Sequence, residues 1–284
     1  MTLPAPAPFH DDRATASLRE WLRAHRRIFV LTGAGISTHS GIPDYRGPDG
    51  QWKRKAPITY QGFVGDPLMR ARYWARSFVG WPMVAKAAPN QGHAALAELE
   101  ARGQVAMLVT QNVDGLHARA RQREVIDLHG RIDAVVCLDC GARVARDAVQ
   151  ARLVDEHPEW TAITAGTAPD GDADLDGLDF SRFRPPPCPQ CGGLLKPDVV
   201  FFGENVPRER VQSACAALQS ADAMLVVGSS LMVYSGFRFA RMAREMGLPL
   251  AILTHGVTRA DDIATLKVDA DCGSTLAGAI AVGA

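Results

Sequence analysis

Two Cys-x-x-Cys pairs constrain the fold of this chain more than any other feature of its sequence. Cys137 and Cys140 form the first pair, and Cys188 and Cys191 form the second. Four thiolates grouped in this way can close a tetrahedral shell around zinc, and a closed shell leaves no open position for catalysis. Two disulfides would not persist in a cytosolic chain, and a redox-active motif would explain only one pair. The sequence therefore predicts one structural zinc ion per chain.

Composition excludes several classes of protein. Apolar residues make up 47% and charged residues 22%, which is ordinary for a globular chain, and the length of 284 residues favours about two domains. The 31 basic residues balance the 31 acidic residues, so no overall charge favours nucleic acid or an anionic membrane. No stretch approaches the roughly 18 apolar residues of a membrane span, and residues 1–10 do not resemble a signal peptide. We therefore expect a cytoplasmic protein without nucleic-acid or membrane partners, and the sequence leaves its oligomeric state open.

The first apolar run of the chain, residues 28–32, has the composition of a buried parallel strand. It leads directly into the turn Gly33-Ala34-Gly35, and Ser37 is predicted to cap a following helix. Further strands are predicted at residues 105–110, 125–128, 224–227 and 249–254. Further helices are predicted at residues 92–102, 207–220 and 236–246. Strands that alternate with helices predict an α/β fold with a Rossmann-like, mostly parallel sheet.

Two segments interrupt this alternation of strands and helices. Residues 43–102 contain many tryptophan and tyrosine residues, and we expect a loop followed by a helical module there. Residues 132–197 contain the four paired cysteines and predict a smaller zinc-ribbon module. Both modules would be inserted into a Rossmann-like domain formed by residues 15–42, 103–131 and 198–284. Residues 1–14 are predicted to form a disordered tail.

The glycine turn after the first strand predicts a phosphate-binding loop. Gly33 and Gly35 allow close approach of the backbone, and the N-terminus of a helix attracts anions. Thr38 replaces the usual third glycine. About 20 residues further on, where a dehydrogenase places the acid that binds ribose, this chain has Lys53. The loop therefore predicts nucleotide binding of a kind that differs from that of a dehydrogenase.

An acid, an aromatic ring and an arginine follow the glycine turn at Asp44, Tyr45 and Arg46. One interpretation is a surface loop that only connects two elements. The alternative is a lid over a bound ligand, with Arg46 directed at a phosphate and Tyr45 at a ring or a reacting carbon.

Polar residues follow several predicted strands at their carboxyl ends, where open α/β sheets bind ligands. Asn112 and Asp114 follow one strand and would point the same way if the chain stayed extended. His129 follows the next strand, and we interpret it as a general base. Two further clusters end later strands, namely Gly228-Ser229-Ser230 and Thr254-His255-Gly256.

Seven motifs in this order resemble those of the sirtuin family of NAD-dependent protein lysine deacylases. They are GAGIS, GIPDYRG, TQNVDGLH, LHG, the paired CxxC motifs, KPDVVFFGE and GSSLMVYS, and the resemblance spans about residues 20–280. Residues 72–82 are similar to class II members, the branch that contains the mitochondrial sirtuin with weak deacetylase activity.

The resemblance implies roles for individual residues. His129 would activate a ribose hydroxyl of NAD, and Asn112 and Asp114 would hold the nicotinamide ribose. The implied NAD contacts are Gly33, Ala34, Gly35, Ser37, Ile42, Pro43, Asp44, Tyr45, Arg46, Gln111, Asn112, Val113, Asp114, Gly228, Ser229, Ser230, Thr254, His255, Gly256 and Cys272. The acyl-lysine protein or peptide would bind as a strand between two segments. These contain Val199, Val200, Phe201, Phe202, Gly203 and Glu204, and Val233 and Tyr234.

The resemblance also implies the reaction. Nicotinamide leaves as the acyl-lysine oxygen attacks the anomeric carbon, and the products are nicotinamide, O-acyl-ADP-ribose and the deacylated lysine. A mono-ADP-ribosyltransferase that uses the same site and a non-catalytic NAD- or ADP-ribose-binding module are the alternatives. Thr254-His255 stands where the family typically has Asn, which alters the expected contacts to the adenosine ribose.

The acyl group is predicted from two residues of a single helix. Tyr73 and Arg76 are three positions apart and would share a helix face. In some desuccinylating sirtuins a Tyr-x-x-Arg pair recognises acidic acyl chains. The alternative is that Tyr73 packs in the core and Arg76 is solvated. We expect tolerance for longer acyl chains.

Overall fold

The computed structural model of the chain describes residues 12–53, 57–163, 172–173, 175 and 177–281. The strands are β1 (Ile28–Thr32), β2 (Val105–Thr110), β3 (Val125–Asp127), β4 (Gly130–Cys137), β5 (Arg143–Ala145), β6 (Leu195–Val199), β7 (Ala223–Val227), β8 (Leu250–Leu253) and β9 (Leu266–Val268). The helices are α1 (Asp12–Ala24), α2 (Tyr60–Gly65), α3 (Pro67–Lys86), α4 (Gln91–Ala101), α5 (Leu116–Arg119), α6 (Arg146–Glu156), α7 (Arg208–Gln219), α8 (Tyr234–Glu245) and α9 (Cys272–Ile280).

Six parallel strands form the large sheet in the order β3-β2-β1-β7-β8-β9. The strand order runs outward in both directions from the boundary between β1 and β7, so this boundary is the topological switch point of a Rossmann-like sheet. The predicted parallel α/β sheet is confirmed. The five predicted strands lie within one residue of their predicted bounds, and β9 was not predicted.

Helices cover both faces of the large sheet. Ile28 and Val30 of β1 pack in one core with α1, α4 and α9. Phe29 and Leu31 face the other way and pack with α7 and α8. Burial on both faces explains why β1 is apolar at its first four positions, and all five of its residues are buried.

The smaller lobe contains a three-stranded antiparallel sheet in the order β5-β4-β6. Helices α2, α3 and α6 pack with this sheet around one core, to which Trp74, Phe78, Val135, Leu153 and Leu195 contribute. The predicted helical and zinc modules therefore share one core. The predicted boundary at residue 102 falls too late, because α4 packs on the large sheet rather than with α2 and α3.

Two predictions for the N-terminal part of the chain need correction. Residues 12–14 were assigned to a disordered tail but belong to α1, and residues 1–11 lie outside the described residues. Ser37 caps no α-helix, since only two single-turn 3₁₀ helices, Ala34–Ile36 and Thr38–Ser40, directly follow the glycine turn. The side chain of Ser37 makes no capping hydrogen bond.

Among the described residues, no helix is both long enough and apolar enough to cross a bilayer.

The glycine turn crosses the switch point in close contact with the loop after β7. The main-chain N–H of Gly35 donates to the oxygen of Gly228 at 2.8 Å, and Gly33 donates to Val227 at 3.1 Å. A Cβ atom added at Gly35 would lie 2.9 Å from both Cα and O of Gly228. These neighbours are backbone atoms, so they cannot rotate away.

The variant Gly35→Ala should therefore push the two loops apart and destabilise the fold by about 1–3 kcal/mol. Gly65→Ala is the matched control, because a Cβ added at Gly65 meets nothing within 4 Å. Urea denaturation of both variants measures the free energy of unfolding. Equal midpoints for the two variants would contradict the close contact.

Candidate active site

Predicted site residues converge at the carboxyl ends of the parallel strands, next to the switch point. Nδ2 of Asn112 donates to the main-chain oxygen of Gly33 at 3.1 Å and to Oγ of Ser37 at 3.1 Å. Ser37 Oγ donates to Oδ2 of Asp114 at 2.7 Å, and the N–H of Leu116 donates to Oδ1 at 2.9 Å. These hydrogen bonds fix the amide of Asn112 and the carboxylate of Asp114 against the glycine turn.

Gln111 connects three strand ends. Its main-chain N–H donates to the oxygen of Thr32, the last residue of β1, at 2.9 Å. Its side-chain Oε1 accepts from Oγ of Ser229, just after β7, at 2.6 Å. Its main-chain oxygen lies 2.9 Å from Nδ1 of His129, just after β3. The predicted residues of three separate motifs therefore meet at one residue.

The contacts of His129 define its tautomer. A carbonyl oxygen only accepts hydrogen bonds, so Nδ1 carries the proton that it donates to Gln111. Nε2 is then the basic nitrogen, and it lies 2.8 Å from Oγ of Ser235. Burial lowers the pKa of His129 below 6.5, as do the charges of Arg210 and Arg238, against the opposing effect of the bond to Gln111. The imidazole is therefore neutral at pH 7 and can accept a proton at Nε2.

Ser235 is the clearest residue that the sequence reasoning missed. It ends the motif GSSLMVYS, so the motif marked its position, but nothing local indicates that its hydroxyl reaches His129. A second omission is the buried pair His93 and His117, whose rings lie 4.8 Å apart. Burial lowers the pKa of His93 to about 4, although the charge of Asp114 opposes this shift. Both rings are neutral, so Asp114 has no cationic partner there.

The predicted lid packs against itself. The guanidinium group of Arg46 lies 4.0 Å from the ring centroid of Trp52, and Tyr45 meets the same ring edge-on at 6.1 Å. Asp44 forms an ion pair with Lys53. The loop is thus an ordered structure that carries Arg46 and Tyr45, rather than a connection without internal contacts.

The remaining predicted residues near the nicotinamide side are half-buried or buried. Ile42 is buried against Leu116, which follows Asp114 closely in the chain. Val113 packs with Trp81 and its oxygen accepts from the N–H of Ile132 at 2.9 Å. Ala34 and Pro43 are half-buried.

The predicted adenosine side lies at the ends of β8 and β9. Thr254 is buried, and its N–H donates to the oxygen of Val268 at 3.2 Å. His255 instead contacts Asp269 at 3.1 Å on the surface. Cys272 is buried, and burial raises the pKa of its thiol to about 12, so the thiol is protonated and unreactive.

The predicted substrate segment continues from β6 and is hydrogen-bonded to the main chain of His129, the predicted general base. The N–H of Val200 donates to the main-chain oxygen of His129 at 2.8 Å. Oε2 of Glu204 accepts from the N–H of Phe201 at 2.7 Å and lies 3.1 Å from Nζ of the buried Lys196. This ion pair holds the segment in a turn. Two large aromatic side chains of the predicted substrate segments, Phe202 and Tyr234, are exposed at 38% and 47%.

Of the two predicted acyl-pocket residues, Tyr73 lies in the core of the small lobe and Arg76 is half-buried. Tyr73 is buried, and its ring lies 5.3 Å from Phe201 and 5.4 Å from Phe63. Nε of Arg76 donates to the main-chain oxygen of Ala173 at 2.8 Å. Tyr73 therefore packs in the core, as the alternative interpretation predicts. Arg76 differs from that interpretation, because its side chain donates a hydrogen bond to the main chain and is not merely solvated.

The four paired cysteines lie together at the end of the small sheet. Their Sγ atoms all lie within 4.8 Å of one another, with 3.6 Å between Cys137 and Cys191 and 3.8 Å between Cys140 and Cys188. A tetrahedral zinc ion with Zn–S bonds of about 2.3 Å separates its sulfur ligands by about 3.8 Å. A disulfide needs about 2.05 Å, so the disulfide alternative is excluded for these cysteines. The donor set fits one structural zinc ion.

Removal of zinc should unfold the small lobe. Structural zinc sites contribute on the order of 10 kcal/mol to folding in small modules. The full chain should contain one zinc per chain by mass spectrometry of metals, and Cys191→Ser should abolish this content and expose the tryptophans of the lobe by fluorescence. Cys215→Ser in α7 is the control and should retain zinc. Unchanged zinc content in Cys191→Ser would contradict the assignment.

Comparisons with known proteins identify the family. The Sir2 family profile matches residues 33–235. The chain is 58% identical over 270 residues to an NAD-dependent protein deacetylase of Xanthomonas axonopodis pv. citri, which covers 95% of this chain and 91% of that relative. It is 46% identical over 274 residues to the mitochondrial NAD-dependent protein lipoamidase sirtuin-4 of Bos taurus. This alignment covers 95% of this chain and 87% of that relative.

Solved structures agree with the sequence relatives. A complex described as Sir2, p53 peptide and NAD+ has a TM-score of 0.70 and 31% identity, and covers 92% of this chain and 94% of that chain. The predicted resemblance to sirtuins is confirmed, and the sirtuin-4 relative supports the class II relationship. This chain belongs to the Sir2 family.

Proposed function

We propose that this chain removes acyl groups from lysine side chains of proteins and consumes NAD as a co-substrate. The observation that carries this proposal is the neutral imidazole of His129, whose Nδ1 binds the main-chain oxygen of Gln111, the residue before Asn112, and whose Nε2 is left basic. The deacetylase and lipoamidase names of the relatives support an NAD-dependent deacylase. The products would be nicotinamide, O-acyl-ADP-ribose and the deacylated lysine.

Each proposed contact follows from the position of a side chain. Asn112 and Asp114 would hold the nicotinamide ribose, because the hydrogen bonds of Asn112 to Gly33 and of both residues to Ser37 fix them there. His129 would accept the proton of a ribose hydroxyl at Nε2. The acyl-lysine substrate would lie as a strand between residues 199–204 and residues 233–234, which carry the exposed rings of Phe202 and Tyr234.

Loss of the base should abolish turnover without abolishing binding. His129→Gln should lower steady-state nicotinamide release by about 10²–10⁴-fold, the usual contribution of a general base, while calorimetry still detects NAD binding. Ser235→Ala should lower it by less than about tenfold, because Gln111 still fixes the tautomer. Because the pKa of His129 is lowered from its ordinary value, the wild-type rate should hold at neutral pH and fall as the pH drops through that lowered pKa, where the imidazole becomes protonated. Equal rates for wild type and His129→Gln would contradict the proposal.

The same assay separates the alternatives. A mono-ADP-ribosyltransferase would attach ADP-ribose to the protein substrate, whereas a deacylase forms O-acyl-ADP-ribose, and mass spectrometry distinguishes these products. A non-catalytic module would bind NAD without release of nicotinamide. The cytoplasmic location stays a prediction from the sequence.

The proposed acyl specificity is tolerance for longer acyl chains. Tyr73 packs on Phe201 of the proposed substrate segment, and Arg76 binds the oxygen of Ala173. The pair thus links α3 both to that segment and to Ala173. The lipoamidase name of the sirtuin-4 relative supports a pocket for long chains.

Arg76→Ala should therefore lower the hydrolysis of lipoyl- and succinyl-lysine peptides by about tenfold relative to acetyl-lysine peptide, the effect of losing one charged hydrogen bond. Arg70→Ala is the matched control, because Arg70 lies on the same helix as Arg76 and also donates to main-chain oxygens, here those of Phe63 and Val64. If Arg76→Ala leaves all three rates unchanged, the pair plays no part in acyl selection.

A further inference from the structure

Three guanidinium groups surround the exposed ring of Tyr234. Those of Arg238, Arg241 and Arg259 lie 5.3, 5.9 and 6.0 Å from the ring centroid. Arg259 also lies 4.3 Å from the ring of Phe237. We call Arg238, Arg241 and Arg259 the arginine rim. Guanidinium groups stack well on aromatic faces and remain able to donate at their edges.

The charge of the arginine rim is largely uncompensated. Within the described residues, Arg238 and Arg259 form no ion pair with a carboxylate. Arg241 lies 3.4 Å from Glu245, but these side chains are exposed at 55% and 64%, and such exposed pairs are weak. The chain has no net charge overall, so the rim is a local concentration of positive charge.

The rim borders the proposed substrate segment directly. The main-chain N–H of Arg259 donates to the oxygen of Ser230 at 2.9 Å, and its Nη1 donates to that of Met232 at 3.4 Å. Arg238 lies close enough to His129 for its charge to lower the pKa of that imidazole. The positive charge therefore lies around Tyr234, beside the segment where the peptide would lie.

We propose that the arginine rim selects acyl-lysine substrates that carry Asp or Glu beside the modified lysine. This inference rests on the proposed deacylase function of the same site. An extended peptide directs alternate side chains to one side, so carboxylates two residues apart can face the same guanidinium groups. Carboxylates form charge-assisted, bidentate hydrogen bonds with guanidinium groups, and salt screens these pairs at an exposed rim.

Matched peptides test the inference. Acetyl-lysine peptides with Asp, Asn or Lys at the two positions on each side of the lysine differ mainly in charge. The ratio kcat/KM for the Asp peptide should exceed that of the Asn peptide by about five- to tenfold in 50 mM salt, and the difference should shrink in 0.5 M salt. The Lys peptide should be the poorest substrate.

Substitutions in the rim identify the groups responsible. The double variant Arg241→Gln and Arg259→Gln should lose most of the preference for Asp while it turns over the Asn peptide at the wild-type rate. Arg23→Gln is the control, because Arg23 is exposed in the last turn of α1, which precedes β1 and so lies at the opposite edge of the sheet. It should retain the full preference.

Binding measurements separate this inference from the proposed function. Fluorescence anisotropy of labelled peptides needs no turnover, and the Asp peptide should bind more tightly than the Asn peptide to the wild type alone. Equal affinities and equal rates for the Asp and Asn peptides overturn the inference and leave the deacylase function intact. A double variant that raises KM for NAD but not for the peptide also overturns it, since the rim would then serve the phosphates. No turnover of any peptide, with the preference in binding retained, would refute the deacylase function alone.

Discussion

The hydrogen bonds of Gln111 hold the candidate active site together. Its main-chain N–H binds the end of β1, its side chain binds Ser229 after β7, and its main-chain oxygen binds His129 after β3. One residue thus determines the spacing of three strand ends and the tautomer of the base. Because a main-chain oxygen sets this tautomer, no side-chain substitution at position 111 removes the acceptor itself.

Burial keeps the histidine side chains in and near the candidate active site uncharged. The imidazoles of His129, His93 and His117 are all kept neutral by burial, which lowers their pKa values. Asp114 is held by hydrogen bonds from Ser37 and a main-chain N–H rather than by a cation. A neutral imidazole at His129 and a hydrogen-bonded carboxylate at Asp114 suit the proposed reaction, in which positive charge develops on the ribose, because a neutral ring does not oppose that charge and a carboxylate attracts it.

The sequence predicted the large sheet well and the contacts between distant segments poorly. The strand β1 is apolar up to its last residue, Thr32, since both of its faces are buried, so local composition was sufficient. The strand β9 has only three residues, one of them Lys267, and offers no comparable signal. Ser235 lies 106 residues from His129, and the helices α2 and α3 join the zinc segment through side-chain packing and through hydrogen bonds such as that from Arg76 to Ala173. Such contacts depend on the whole fold, whereas the family resemblance supplied the site residues that local patterns did not.

The four paired cysteines and His129 lie at opposite ends of one β-ribbon, which is formed by β4 and β6. This arrangement explains how a structural metal can affect a reaction at His129. β4 begins directly after His129 and ends at Cys137, and β6 pairs with it from Leu195 beside Cys137 to Val199 beside Gly130. Gly130 has φ 84°, and a Cβ there would lie 2.1 Å from the main-chain oxygen of Asp198, so only glycine allows this close pairing. Beyond it, Val200 binds the main-chain oxygen of His129. The thiolates therefore fix one end of the ribbon, and its other end positions both the base and the proposed substrate segment.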